Sequence, residues 1–241
     1  MAFKHGTPNS IVTDGLVFCV DPANVLSWSG PNSSTVNDLI GTNTGTIYND
    51  TSGSYGDNNS FEFDGTDDYI NFGSSVANFD EDSSFTIDIW FKQNDLSGRK
   101  DIISRMSSDR GWALRFNREV LNNDKYYLLL QSTGGSTQIF GAADFSIEAN
   151  RVYNMVFTYN GSGNNSGIAG YINGNDYGMT NVGGTLSQTI SNSTSMNIGK
   201  SNNSNPLPFN GLVYSSKIYN KVLSLAEVTQ NYNALKNRFR T

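Results

Sequence analysis

The segment that most limits what this chain can fold into is Ser84–Lys92, SFTIDIWFK. Phe85, Ile87, Ile89 and Phe91 alternate there with Thr86, Asp88, Trp90 and Lys92. A strict period of two puts the first set on one face of an extended strand and the second set on the other. A second run, Arg151–Tyr159, is apolar at both phases, with Tyr153, Met155, Phe157 and Tyr159 on one face and Val152 and Val156 on the other. That pattern suits a strand buried on both sides. Shorter runs of the same kind are Gly15–Val20, Phe61–Phe63, Tyr69–Phe72, Asp101–Met106, Trp112–Phe116, Tyr126–Gln131, Ile168–Ile172, Met196–Ile198 and Leu212–Tyr219. Turn clusters such as STGGST, NGSGNNSG and NGNDYG separate them. Many short strands with almost no helical period predict an all-β sandwich or barrel.

Composition narrows the function. With 241 residues the chain is long enough for one domain with a two-layer core, and its 12 Tyr, 14 Phe and 3 Trp can fill that core. Only 16% of residues are charged, while 32 Asn, 30 Ser and 24 Gly take their place, which excludes a coiled coil or helical repeat. No apolar run approaches the ~20 residues of a spanning helix. The first residues, MAFKHGTPNSIVTDG, hold no apolar core of a secretory signal, so none is expected. A net charge of -6 argues against nucleic-acid binding, which needs a basic face. Cys19 and His5 are the only residues of their kinds. They leave no intramolecular disulfide, no cysteine-rich zinc site and no Ser-His-Asp triad in the body of the domain. Any catalysis would rest on carboxylates.

One helix is expected, over 224–238. Ser224 and Glu227 have the spacing of a capping box, and Leu225, Val228, Tyr232, Leu235 and Phe239 recur as one apolar stripe. Lys236, Arg238 and Arg240 follow at the end where the helix dipole favours cations. The chain therefore divides into an N-terminal arm (1–13), a β-sandwich (14–223) and a C-terminal helix and tail (224–241).

These pieces occur in a familiar order. GLVFCVDPANVLSWSG, FEFDGTDDYINF, SFTIDIWFK, RVYNMVFTYNGSG with GYINGNDYG, and MNIGKSNN followed by PFNGLVYSSKIYNKVLSLAEVTQNYN run from residue 15 to about 233. In that order they resemble the laminin-G-like branch of the concanavalin A-like lectin/glucanase superfamily. The resemblance implies a jelly-roll sandwich of two curved antiparallel sheets. Laminarinase-type hydrolases of this superfamily carry a strand motif E-x-D-x-E, and no such motif occurs here; Asp88 has no glutamate two residues away on either side. The chain is therefore expected not to be an enzyme. The resemblance also implies calcium held by acidic residues in the closing strand, but Tyr214 and Ser215 stand at those positions. Asp21 in the opening loop is the remaining candidate metal ligand, beside its simpler reading as part of an Asp-Pro turn.

For glycan binding the candidates are Trp28, in the loop LSWSGPNSS, and Trp112, beside Asp109, Arg110 and Arg115, because aromatic rings stack on sugar faces. Asp67 and Asp68, in the loop DGTDD, could accept sugar hydroxyls or hold an ion, or simply serve an Asp-Gly turn. Trp90 reads as structural. The chain is Asn/Ser/Gly-rich and poor in charge, and in this it resembles lectin-like domains of marine bacteriophage structural proteins. The reading is thus a virion surface protein, a capsid decoration or head/tail fibre module that adheres to glycans. Its arm (1–13) and its helix (224–238) would supply the contacts to other virion proteins or to a second copy of the chain. A free carbohydrate-binding lectin is the alternative, with a glycan hydrolase third.

Overall fold

The computed structural model describes residues 10–49, 59–117, 125–133, 137–203 and 205–239. His5 and the first nine residues of the expected arm lie outside them. The strands are β1 Leu16–Val20, β2 Thr35–Asn37, β3 Thr44–Tyr48, β4 Phe61–Asp64, β5 Tyr69–Asn71, β6 Ser84–Gln93, β7 Lys100–Met106 and β8 Gly111–Phe116. They continue with β9 Tyr126–Gln131, β10 Gln138–Ala143, β11 Val152–Asn160, β12 Ile168–Ile172, β13 Asn175–Asp176, β14 Met179–Gly183, β15 Asn197–Ile198 and β16 Asn210–Tyr219. One helix, α1 Leu225–Leu235, follows.

The strands form two antiparallel sheets. The seven-stranded sheet runs β1-β16-β6-β11-β12-β13, with β4 also paired to β16; the nine-stranded sheet runs β14-β10-β9-β8-β7-β15-β5-β3-β2. This is the sandwich expected from the alternation. Phe85, Ile87, Ile89 and Phe91 of β6 face the inside and meet Trp112, Leu114, Phe116, Leu128 and Leu130 of the opposing sheet. Burial of each such side chain stabilises the fold by about 1.5–3 kcal/mol. Tyr126 of β9 packs on Phe91 across the core at 5.0 Å and donates its hydroxyl to Gln93 Oε1 at 2.6 Å.

Five strands escape the alternation reading: β2, β3, β10, β13 and β14. Four are short and polar, where period two has little contrast. The fifth, QIFGAA, is weakened by glycine and alanine, residues with low strand preference. A side chain at Gly141 would meet Asn181, Met179 and Ile168 at 2.5–2.9 Å, so the glycine lets β10 and β12 approach closely.

The other face of β6 is covered by the helix. Its capping box is present, with Ser224 accepting from Glu227 N–H and Glu227 accepting from Ser224 N–H. The expected apolar stripe needs correction. Leu225 is exposed, while Val228 and Asn231 are the buried positions. Tyr232 stacks on Trp90 at 5.5 Å, and Phe239 closes over Trp90 and Tyr214. The described end of the arm packs here too. Val12 is buried in a cluster with Leu16, Cys19, Leu223 and Val228, and its N–H donates to Asn231 Oδ1 at 2.8 Å.

Candidate functional site

The tryptophans expected to stack on sugar lie in the interior. Trp28 is 4% exposed and packs edge-on against Phe61 at 5.4 Å. Trp112 is 1% exposed, sits in β8 and donates its indole N–H to Ala77 O at 3.0 Å. Neither offers a ring face to a ligand, because at these positions a large apolar ring stabilises more as core than as surface. Asp21 is likewise committed. Its carboxylate accepts a two-pronged bond from the Arg238 guanidinium, and its Oδ1 caps Ala23 N–H in the turn that the Asp-Pro sequence encodes. Tyr214 is buried against Phe239, and Ser215 is buried in the same closing strand.

Asp67 and Asp68 are brought together with Asp64. One carboxylate oxygen from each lies within 4.8 Å of the others, Asp64 and Asp67 exposed and Asp68 buried. Much of this is turn chemistry. Asp68 Oδ2 accepts Asp64 N–H at 3.0 Å, and Asp64 Oδ1 accepts Thr66 N–H at 2.7 Å. Gly65, at φ +82°, supplies the left-handed residue that the turn needs. All-carboxylate oxygen suits a hard cation such as calcium in kind, but two of the oxygens already serve the loop's own N–H groups.

Directly beside this loop is a feature that no motif announced. β3 pairs with β5 so that Tyr48 faces Tyr69 across the strands. Ile70 points into the core, so both tyrosines project on the outer face of the nine-stranded sheet. Their rings stack at 4.7 Å and 9°, and Tyr48 is 42% exposed. From the β15 side the Lys200 ammonium lies 3.7 Å from the centre of the Tyr69 ring, a cation–π contact. Asn49 donates its side-chain amide to Asp67 O at 3.3 Å and ties the end of β3 to the acidic loop. Burial, then Tyr48, raises the Tyr69 phenol above its ordinary value, so the ring remains neutral at physiological pH. The result is a tyrosine pair whose exposed ring is Tyr48, joined to the acidic loop through Asn49. The legible signal was the alternation Thr44, Thr46, Tyr48, but three residues are too few to separate a strand from a loop.

A loop carboxylate pair elsewhere serves structure. Burial opposes ionisation of Asp80, but hydrogen bonds from Glu81, Thr189 and Ile190 outweigh it and bring its carboxyl down to about 2. Its hydrogen bond to Asp80 raises Glu81. Asp80 thereby staples its loop to Thr189 and Ile190. A cavity of about 270 Å³ lies under the helix, where Cys19, Asp21, Ser215, Lys217, Leu235 and Arg238 line it.

The profile of the concanavalin A-like lectin/glucanases superfamily matches residues 64–229. No curated protein matches the chain. Among solved structures, Trypanosoma rangeli sialidase is 16% identical with a TM-score of 0.64 over 95% of this chain and 34% of its own, so this chain spans about a third of that enzyme. Domain 4 of an extracellular arabinanase from Geobacillus stearothermophilus, solved with arabinotriose, is 18% identical with a TM-score of 0.60 over 90% of this chain and 98% of that domain. The binding domain of a paraclostridial mosquitocidal protein is 19% identical with a TM-score of 0.63 over 92% of this chain and 53% of its own. At such identities the three establish a shared fold, which hosts glycan hydrolases and binding domains alike. Strand motifs in family order, a two-sheet sandwich and a profile match across most of the sequence agree, and the chain belongs to the concanavalin A-like lectin/glucanases superfamily.

Proposed function

We propose that this protein is a non-catalytic glycan-binding module whose ligand stacks on the exposed Tyr48 ring of the Tyr48–Tyr69 pair. The observation that carries the reading is the exposed tyrosine stack beside Asp64 and Asp67. A flat aromatic face accepts the apolar side of a sugar ring, and adjacent carboxylates accept its hydroxyl protons. The non-catalytic half rests on the missing E-x-D-x-E motif and on the prior commitment of two buried carboxylates. Asp88 is bound by two asparagine amides and Asp101 by a bidentate Arg115.

Calorimetric titration tests the site. Arabinotriose, the sugar seen on the arabinanase domain, is the first probe, followed by a panel of plant and algal oligosaccharides. Tyr48→Ala is expected to weaken the best ligand about tenfold, equivalent to ~1.4 kcal/mol. Undiminished affinity in that variant would move the site elsewhere. Placement on a virion surface belongs to the same proposal and is supported by the charge-poor, Asn/Ser-rich composition. Quantitative mass spectrometry of purified particles tests it, and absence from the particle leaves the free lectin.

A further inference from the structure

Beneath the helix, one carboxylate bridges an amine and a carboxamide in the interior. Asp88, Lys217 and Asn231 are each at most 1% exposed. Asp88 and Lys217 are register partners on β6 and β16, and the Lys217 ammonium lies 3.5 Å from Asp88 Oδ2. Asn231 Nδ2 donates to that same oxygen at 2.9 Å, while Asn154 Nδ2 takes Oδ1 at 2.8 Å. Lys217 carries three donors, yet its ammonium makes no hydrogen bond to any described residue. The carbonyl of Asn231 is polarised, because Oδ1 accepts Val12 N–H at 2.8 Å. Its nitrogen is held between Asp88 and the Tyr219 hydroxyl, at 2.9 Å from each.

We propose that Lys217 and Asn231 join in a self-formed isopeptide bond, with Asp88 carrying the protons. Asp88 takes a proton from the ammonium, and the freed amine attacks Asn231 Cγ. The Nζ–Cγ bond forms and the Cγ–Nδ2 bond breaks. Of the three ammonium protons, one stays on the new amide, one departs with Nδ2 as ammonia, and one remains on Asp88 as a neutral carboxylic acid. Nothing is oxidised or reduced, and no co-reactant is needed. The Val12 N–H is placed to stabilise the oxygen as it gains charge, in the manner of an oxyanion hole. Both groups lie against one carboxylate oxygen, Asp88 Oδ2, which lowers the entropic cost of bringing them together. The driving force is electrostatic as well, since a buried ion pair with a poor hydrogen-bond set becomes two neutral groups. Asn154 lacks the matching features: it bonds the other carboxylate oxygen, and its own Oδ1 has no donor among the described residues. This inference does not depend on the glycan reading.

The test is the intact mass of the full-length protein, followed by tryptic mapping. The expected product is lighter than its sequence by one ammonia. Trypsin should leave the bond after Lys217 uncut and release a branched peptide joining 201–221 to 222–236 through Asn231. Lys217→Arg, which keeps the charge but forms no amide, should show the full sequence mass, as should Asp88→Ala. Should Asp88→Ala fail to fold, the wild-type mass and Lys217→Arg still decide. A wild-type protein at its sequence mass, cut normally after Lys217, overturns the proposal. So does an ammonia loss that maps to Asn154 or to a linear peptide.

Discussion

The outer faces of the two sheets are made by the same alternation and end in opposite states. On the seven-stranded sheet, Thr86, Asp88 and Trp90 are buried under the helix and the end of the arm. On the nine-stranded sheet, Tyr48 and Tyr69 stand at the surface and stack on each other, with one ring left to the solvent. The covered face holds Asn154 and Asn231 bonded to Asp88 beside Lys217, next to the Trp90 cluster, while the exposed patch of the other holds a tyrosine pair. Polarity of a side chain therefore says little about which face meets a ligand. What decides is whether another element lies on top.

The comparison can be broken most forcefully at the cover. Leu223 is fully buried where the chain turns from β16 into the helix. Leu223→Ala is expected to cost about 2–5 kcal/mol in urea denaturation, because the cavity cannot close. A loss below 1 kcal/mol would mean that the helix is a loosely held attachment. The covered face should also reveal itself in alkali. Burial pushes the Cys19 thiol up to about 12, against the opposing attraction of Lys217. The unfolded chain loses this proton near 8.5 and the folded chain only near 12, so folded Cys19 binds more protons between those values. Stability from this group is full below about pH 8.5 and is lost as pH rises toward 12. Native protein at pH 8 should accordingly resist thiol reagents, and rapid labelling would show that the cover opens. The smallest effect belongs to the open face. Tyr48→Ala should change stability by no more than about 0.5 kcal/mol, while it weakens glycan binding.

Several parts of this molecule were legible before folding. Ser84–Lys92 declared both faces of β6, and the Ser224–Glu227 spacing declared the helix start. The short strands β2, β3, β13 and β14 were not legible, because a run of two to five mostly polar residues pairs only when a neighbouring strand is already in place. Of the site residues, Asp67 and Asp68 were visible as a loop and were joined by Asp64, whereas Trp28 and Trp112 were read as ligand groups and proved to be core. A loop position did not keep Trp28 at the surface, since the loop folds its indole onto Phe61. Asn231 gave no signal at all. A polar residue on a helix reads as exposed unless something shows that Asp88 and Val12 will face it.

Alternation, turn residues and a capping box are local properties, and they alone determined that this chain forms short antiparallel strands closed by a helix. Which tyrosines pair, which carboxylates cluster and which ammonium meets an asparagine depend on contacts between residues far apart in sequence, such as Asp88 with Asn231 or Tyr48 with Tyr69. Those contacts were decided only by the tertiary structure, because strand order and the docking of the helix set them, and neither is written in any local segment.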